Sequence, residues 1–236
     1  MIVAAALVLQ VLVSLQIVSP YVVASPSSAL AAIVDLIRYE GLPVLFARTF
    51  AMTFVAALVA IVVGLPLGVI VARSELLRRS FEGWLGAAFS APIILLYPLF
   101  LVVFGRGYVT LVVMGALVGV VPIALKTIEG YLAIPRVLEN VAVSLNMTER
   151  QRLRHVTVPA VLPHIFAGIR ISLIYILINI VAIDFLVSIG GLGYLVGAMY
   201  DRYDIPAMYG AILFVVLTSV IFFTILERCE SWLSKR

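Results

Sequence analysis

Residues Leu138–Gly168 read LENVAVSLNMTERQRLRHVTVPAVLPHIFAG. The stretch is polar, carries apolar residues at helical spacing, and is far longer than the connections of about 2–8 residues that usually join packed helices. A connection of this length usually has a task of its own. Its first half predicts a short helix ending near Leu145, followed by Asn146, a residue type that tolerates a left-handed turn. Thr148 predicts the N-cap of a second short helix running through His155, and Pro159 and Pro163 are expected to end it. The product is a helix, turn and helix that present Arg150, Arg152 and Arg154 to a partner.

On both sides of this excursion the chain is nearly free of charge. Of its 236 residues, 64% are hydrophobic and 12% charged, where an ordinary soluble domain is about half apolar and about a quarter charged. One core cannot hide that excess, since even a domain of about 250 residues buries only roughly 70–75% of its unfolded surface. The bilayer is the solvent, and the chain reads as an all-α, multi-pass membrane protein. Scarce charge argues against disorder, 16 glycines without a triplet period against collagen, and the single cysteine, Cys229, against a disulfide scaffold. A net charge of +4 on so apolar a chain fits the positive-inside bias. Nucleic acid is not expected as a partner, because no aromatic residue interleaves the alternating arginines.

Stretches of about 20 apolar residues bounded by charge or turn residues mark candidate crossings. Six qualify: Ile2–Val18, extendable to Ala24; Phe50–Ala72; Leu85–Phe104; Tyr108–Leu125; Ile165–Ile189; and Ala207–Leu226. The first has no Lys or Arg before it and no small-residue cleavage site after it, so it reads as a retained helix. Sorted by loop, one side receives Arg73, Arg78, Arg79, Lys126, Arg136, Arg150, Arg152, Arg154, Arg170, Arg228, Lys235 and Arg236. The other receives Arg38, Arg48, Arg106 and Arg202. Twelve against four places the 126–164 loop and the C-terminal tail in the cytoplasm, and six crossings then place the N-terminus there as well. Pro20, Ser25, Pro26, Ser27 and Ser28 mark an external turn, with a short surface helix over Ala29–Tyr39. The expected organisation is a single transmembrane domain over 1–236. It has an extra N-terminal helix over about 2–24, a core over about 44–226 and the excursion over about 126–164.

In lipid, small residues one turn apart mark faces where helix backbones approach. Three glycine pairs do so, Gly64 with Gly68, Gly115 with Gly119 and Gly193 with Gly197, and are expected to serve packing within the chain. Pro66, Pro92, Pro98 and Pro122 are expected to bend their spans. Asp184 is the only carboxylate well inside a predicted span, where a charge costs about 2.5–3.5 kcal/mol on insertion scales. It either lines a pathway or an interhelical polar network, or lies near the outer end of its helix. Asn179 shares that helix but not its stripe, and Tyr97 places a phenol in the third span. Tyr97, Asn179 and Asp184 are the candidate pathway residues. Arg106, between Gly105 and Gly107, either attracts an anionic solute at the outer mouth or anchors the interface.

The excursion resembles the EAA motif of ABC importer permeases, whose pattern is E-A-A, three residues, G, nine residues, I-x-L-P. Counting from Asn146, nine residues precede Val156, Thr157, Val158 and Pro159, and Ala142 falls on the second alanine. The family's glutamate falls on Asn140, with Glu139 one place early, its first alanine on Val141 and its glycine on Asn146. GLPLG at 64–68, APIILLYPLFLVVFG at 91–105 and GGLGYL at 190–195 are similar to the nitrate, sulfonate and taurine branch. The resemblance covers most of the chain and implies a type I, MetI-like importer permease fold of about six transmembrane helices with a cytoplasmic coupling helix. It implies two permeases, this chain with a second copy or a paralogue, two cytoplasmic ABC ATPases and an extracytoplasmic binding protein that delivers a small anionic solute. Membrane lipid is the remaining partner. Glu139, Asn140, Val141, Ala142, Leu145, Asn146, Met147, Thr148, Arg150, Arg152, Arg154 and Pro159 are the implied ATPase-coupling residues. The altered motif suggests the degenerate half of a heterodimer.

No cofactor is expected on this chain, and it is not expected to be an enzyme. It lacks G-x-x-x-x-G-K followed by Ser or Thr, so ATP and Mg would bind the partner ATPase. It also lacks H-E-x-x-H, and His155 and His164 stand nine residues apart in the loop region. The rival expectation is a secondary transporter that binds a coupling proton on Asp184.

Overall fold

The computed structural model describes residues 2–17, 19 and 22–234. Val18, Pro20, Lys235, Arg236 and the side chain of Cys229, on which parts of the sequence reading fell, lie outside the described residues. Every element among the described residues is helical.

Three long apolar helices form the centre: α3 (Leu42–Arg73), α6 (Tyr108–Leu132) and α9 (Val158–Val187). Met52, Ala56, Ala60, Leu111, Met114, Ile123, Ile176, Ile180 and Ile183 are buried where they meet. The expected glycine pairs make this contact close. A Cβ on Gly68 would stand 2.6 Å from Thr127 Cβ, and one on Gly119 would stand 2.5 Å from Ile176 Cδ1. In a solvent of lipid, such contacts bring van der Waals attraction between backbones that no larger residue allows.

Around this trio lie α1 (Ile2–Ser14), α2 (Pro26–Tyr39), α4 (Glu75–Ser90), α5 (Tyr97–Phe104), α10 (Leu192–Asp201) and α11 (Ile205–Ser234). Ser25 caps α2 by accepting the Ser28 N–H at 3.2 Å, Pro26 occupies its first turn, and Ala29, Ala32 and Leu36 turn inward. The predicted surface helix is therefore present, packed beside α11.

Two predicted crossings differ from expectation. The α1 helix has 13 residues, about 20 Å of rise against a hydrocarbon layer of about 30 Å. The third predicted span is not one helix, because α4 stops at Ser90 and α5 leaves at 80° after a 3-10 turn over Ile93–Leu96. Pro92 is the cause: Ala91 before it is extended, at φ −70° and ψ 135°, the conformation a following proline enforces. Four described helices are long and apolar enough to cross a membrane, or five with the bent pair as one crossing, in place of the six expected.

The excursion consists of α7 (Arg136–Ser144) and α8 (Glu149–Arg152). Contrary to expectation, neither Pro159 nor Pro163 ends the second helix. A π-turn over Leu153–Thr157 joins α8 directly to α9, with the Val158 N–H reaching the Leu153 carbonyl. Proline lacks the N–H for the carbonyl four residues back and its ring collides with that group. The wider π-turn just before Pro159 supplies the altered spacing that lets the helix pass through it.

Candidate functional site

The excursion turns where the sequence places the turn. Asn146 is left-handed at φ 50°, and the N–H groups of Leu145, Asn146 and Met147 donate to the carbonyls of Val141, Val143 and Ala142 at 3.0, 2.9 and 3.0 Å. Thr148 then starts α8 with a reciprocal cap: its Oγ1 accepts the Gln151 N–H, and Gln151 Oε1 accepts the Thr148 N–H at 2.9 Å.

This local order fixes which side chains point away. Val137, Val141 and Leu145, one turn apart, are 69%, 47% and 63% exposed and form an apolar stripe along α7. Glu139, Asn140, Val143, Asn146, Thr148, Arg150, Arg152, Arg154 and Pro159 are also exposed, and Met147 is half-buried. Ala142 is the exception at 1% exposure. Expected on the contact surface, it is buried against its own chain, on the helix that contacts the π-turn.

The three candidate pathway residues do not come together. Asn179 is 9% exposed, and its Oδ1 is buried without a hydrogen-bond partner. It lines a cavity of about 210 Å³ with Phe89, Pro92, Val118, Tyr175 and Ile178. The Tyr175 ring meets Phe89 edge-on at 4.9 Å. Pro122, which has no N–H, removes the helical partner of the Val118 carbonyl on this wall. Tyr97 instead starts α5 and packs on the central core.

Asp184 lies at the opposite end of α9 from the excursion, fully buried. Its Oδ1 accepts the N–H groups of Ile189 and Gly190, both at 3.1 Å, and its Oδ2 those of Gly191 at 3.0 Å and Tyr194 at 2.8 Å. Four donors point at one carboxylate, which also sits at the N-terminus of α10, where a negative charge is favoured. The oxygens face these backbone N–H groups at the end of α9. Arg106 completes the corner. Its Nε donates to the Val187 carbonyl at 2.6 Å and its Nη2 to the Ser188 carbonyl at 3.1 Å, placing a cation on the C-terminus of α9. Thr49 of α3 accepts the Leu192 N–H at 2.9 Å, tying the corner to the central trio. Gly193 permits this crossing, since a Cβ there would stand 2.1 Å from the Val181 carbonyl oxygen.

Residues 64–236 match the sequence profile of the family described as binding-protein-dependent transport system inner membrane component. The chain belongs to this family. As an ABC importer permease it is a multi-pass membrane subunit and not itself an enzyme.

The permease is 31% identical over 102 residues to the riboflavin transport system permease protein RibX of Chloroflexus aurantiacus, covering 43% of this chain and 38% of that protein. It is 37% identical over 76 residues to the bicarbonate transport system permease protein CmpB of Synechococcus elongatus, covering 32% and 27%. The match thus spans less than two fifths of either relative's length. Among solved structures it resembles the inward-facing MetNI methionine ABC transporter, with 25% identity, a TM-score of 0.65 and coverage of 80% of this permease and 92% of that chain. An amino acid ABC transporter crystallised with histidines shares the fold at 18% identity and a TM-score of 0.68, covering 86% and 98%.

Sequence reasoning missed the exposed Val137 and the tie between Thr49 and α10. The i, i+4, i+8 spacing of 137, 141 and 145 is a signal for the first; nothing local to Thr49 signals the second.

Proposed function

We propose that this permease is one half of the membrane passage of an ATP-driven importer, with α7 and α8 docking on a cytoplasmic ATPase. The observation that carries the reading is the apolar stripe of Val137, Val141 and Leu145 on an otherwise polar excursion, flanked by exposed Arg150 and Arg154. Such a short amphipathic face suits a groove on a partner, with the arginines as a charged rim. The MetNI likeness supports a second permease copy or paralogue and two ATPases as the assembly; ATP and Mg would be held by the ATPases, since this sequence lacks the G-x-x-x-x-G-K phosphate loop. The family description supports an extracytoplasmic binding protein. The Lys and Arg distribution supports a cytoplasmic excursion and C-terminal tail. An N-terminus in the cytoplasm rested on six crossings and loses that basis with a 13-residue α1.

For the solute we propose a small anion, supported by the bicarbonate relative and by Arg48, exposed beside the corner that Arg106 and Asp184 hold. A neutral planar solute is the second reading, favoured by the aromatic wall of Phe89 and Tyr175 and the unpartnered Asn179 amide oxygen. Competition for uptake by bicarbonate, nitrate and riboflavin in vesicles containing the whole transporter separates them.

The coupling reading is tested by Val141→Asp with Leu145→Asp. The variant should reach the membrane normally yet fail to retain the ATPase on purification. Full retention with unchanged solute-stimulated ATP hydrolysis would overturn it.

A further inference from the structure

Between the excursion and the adjacent ends of α3 and α6 lies a cavity of about 410 Å³. Four charged side chains line it: Arg73, the last residue of α3, Glu139 of α7, and Glu149 and Arg152 of α8. Tyr131 and Leu132 of α6 contribute to the wall. Two cations and two carboxylates around one space are expected to pair with each other. Among the described residues they do not: no ion pair joins any two of the four, unlike Glu75 with Arg78 and Arg79, Lys126 with Glu129, or Glu40 with Arg202. No side-chain hydrogen bond joins the four to other protein groups there either. The cavity therefore offers separated charges of both signs, complementary to a ligand that carries both.

Its position names the source of that ligand. Arg73 ends a run of apolar residues on α3 whose Val62, Val63 and Ile70 are 70%, 48% and 56% exposed. The cavity thus lies where the exposed apolar face of a helix long enough to cross a membrane ends in a charge, the arrangement expected at the level of phospholipid headgroups. We propose that it binds the headgroup of a zwitterionic aminophospholipid of the leaflet on the excursion side. The phosphate lies near Arg73 and Arg152, the primary ammonium near Glu139 and Glu149, and the acyl chains follow α3. A guanidinium suits a phosphate, and an ammonium with N–H donors suits carboxylates. A choline headgroup has no such donors, and a glycerol headgroup leaves both glutamates without a counter-charge. Placing this leaflet on the cytoplasmic side rests on the orientation proposed above.

The test uses the transporter assembled with its ATPase, stripped of bulk lipid and offered phosphatidylethanolamine, phosphatidylcholine or phosphatidylglycerol in mixed micelles. Retained lipid is read by native mass spectrometry on the permease, whether or not the ATPase stays attached, so failure of the docking reading and of this site are distinguishable. Phosphatidylethanolamine should be retained about tenfold over the other two, and Arg73→Ala with Arg152→Ala should abolish that preference. Should the arginine pair fail to assemble, Glu139→Gln with Glu149→Gln serves, reducing retention to that of phosphatidylcholine. Equal retention of all three lipids, preference for phosphatidylglycerol, or partner side chains filling the cavity in a map of the complex would overturn the proposal. So would displacement of the lipid by soluble phosphoethanolamine, which would make the occupant a free zwitterion.

Discussion

Replacing Asp184 with asparagine changes the corner's chemistry at nearly constant shape. The carboxylate accepts four backbone N–H groups, two on each oxygen. An amide keeps one oxygen and presents an NH2 group where the other was. In either orientation two backbone donors, those of Gly191 and Tyr194 or those of Ile189 and Gly190, then face another donor in a site with no exposure. Each buried donor left without an acceptor costs about 1–3 kcal/mol, so the pair costs about 2–6 kcal/mol. Loss of the negative charge at the start of α10 adds about 0.3–1 kcal/mol. For a chain of this size each kcal/mol shifts the midpoint by about 2–4 °C, so Asp184→Asn should melt at least about 4 °C lower. The assay is the loss of the monodisperse peak on size-exclusion chromatography after heating in detergent, at one fixed heating time because unfolding there is irreversible. Asp184→Ala should fall further, with four donors unpaired. An unchanged midpoint for Asp184→Asn together with lost transport would refute the reasoning and return Asp184 to the solute path.

Gly193→Ala should be among the most damaging single changes, because its Cβ meets the Val181 carbonyl and the Phe185 N–H, both backbone; membrane yield and melting report it. Asn146 sits at φ 50°, so Asn146→Gly should be neutral or slightly stabilising. Asn146→Val should cost roughly 1–2 kcal/mol and weaken ATPase retention, read by melting and copurification. Arg106→Ala removes two donors from the end of α9 and should lower the melting midpoint by several degrees, as each charge-assisted bond is worth about 1.5–3 kcal/mol. Arg106→Lys should restore part of that loss.

The elements legible in the sequence are those decided by local chemistry. Asn146 takes the left-handed turn and Thr148 the cap because each choice depends on residues within three or four positions. The glycine pairs mark close contacts because little else explains small residues at that spacing in lipid. What local chemistry does not decide was read differently. Apolar character runs unbroken through Pro92, so hydropathy joins two helices that the backbone separates by 80°. Pro159 stops an ordinary helix, and only the π-turn before it, a property of several residues together, lets the helix continue. Asp184 has no local signature for one role over another. Its donors follow it by five to ten residues, and they converge only because Ser188 at φ 54° and Gly190 at φ 122° reverse the chain. Ala142 and Val141 are adjacent small apolar residues on a nine-residue helix, and which one faces inward depends on the π-turn it packs against.

The same π-turn gives the proposed coupling its mechanical sense. A hinge between α8 and α9 would let a docked excursion move while the bundle stayed still. The helix instead continues from the Thr148 cap through Leu153–Thr157 into 30 residues of α9, a rod of which α9 alone is about 45 Å long at 1.5 Å per residue. At its far end the rod is not free to slide past α10, because Asp184 holds the α10 N-terminus and Arg106 holds the final carbonyls. On the proposed reading, displacement at the ATPase therefore tilts α9 and carries the clasped corner with it, in the manner of rigid-body switching between two packings. The cavity beside Asn179 lies between those two ends and is walled in part by Val118 of α6, whose carbonyl loses its helical partner at Pro122; α3 and α9 carry prolines too, Pro66 and Pro163, nearer their ends. On the proposed reading, a missing helical bond at mid-length of α6 is a place where the bundle yields without unfolding. Filling the gap by Pro122→Ala restores a helical bond and should slow transport while raising the melting midpoint, whereas a bundle that moves as one block would show the second effect alone.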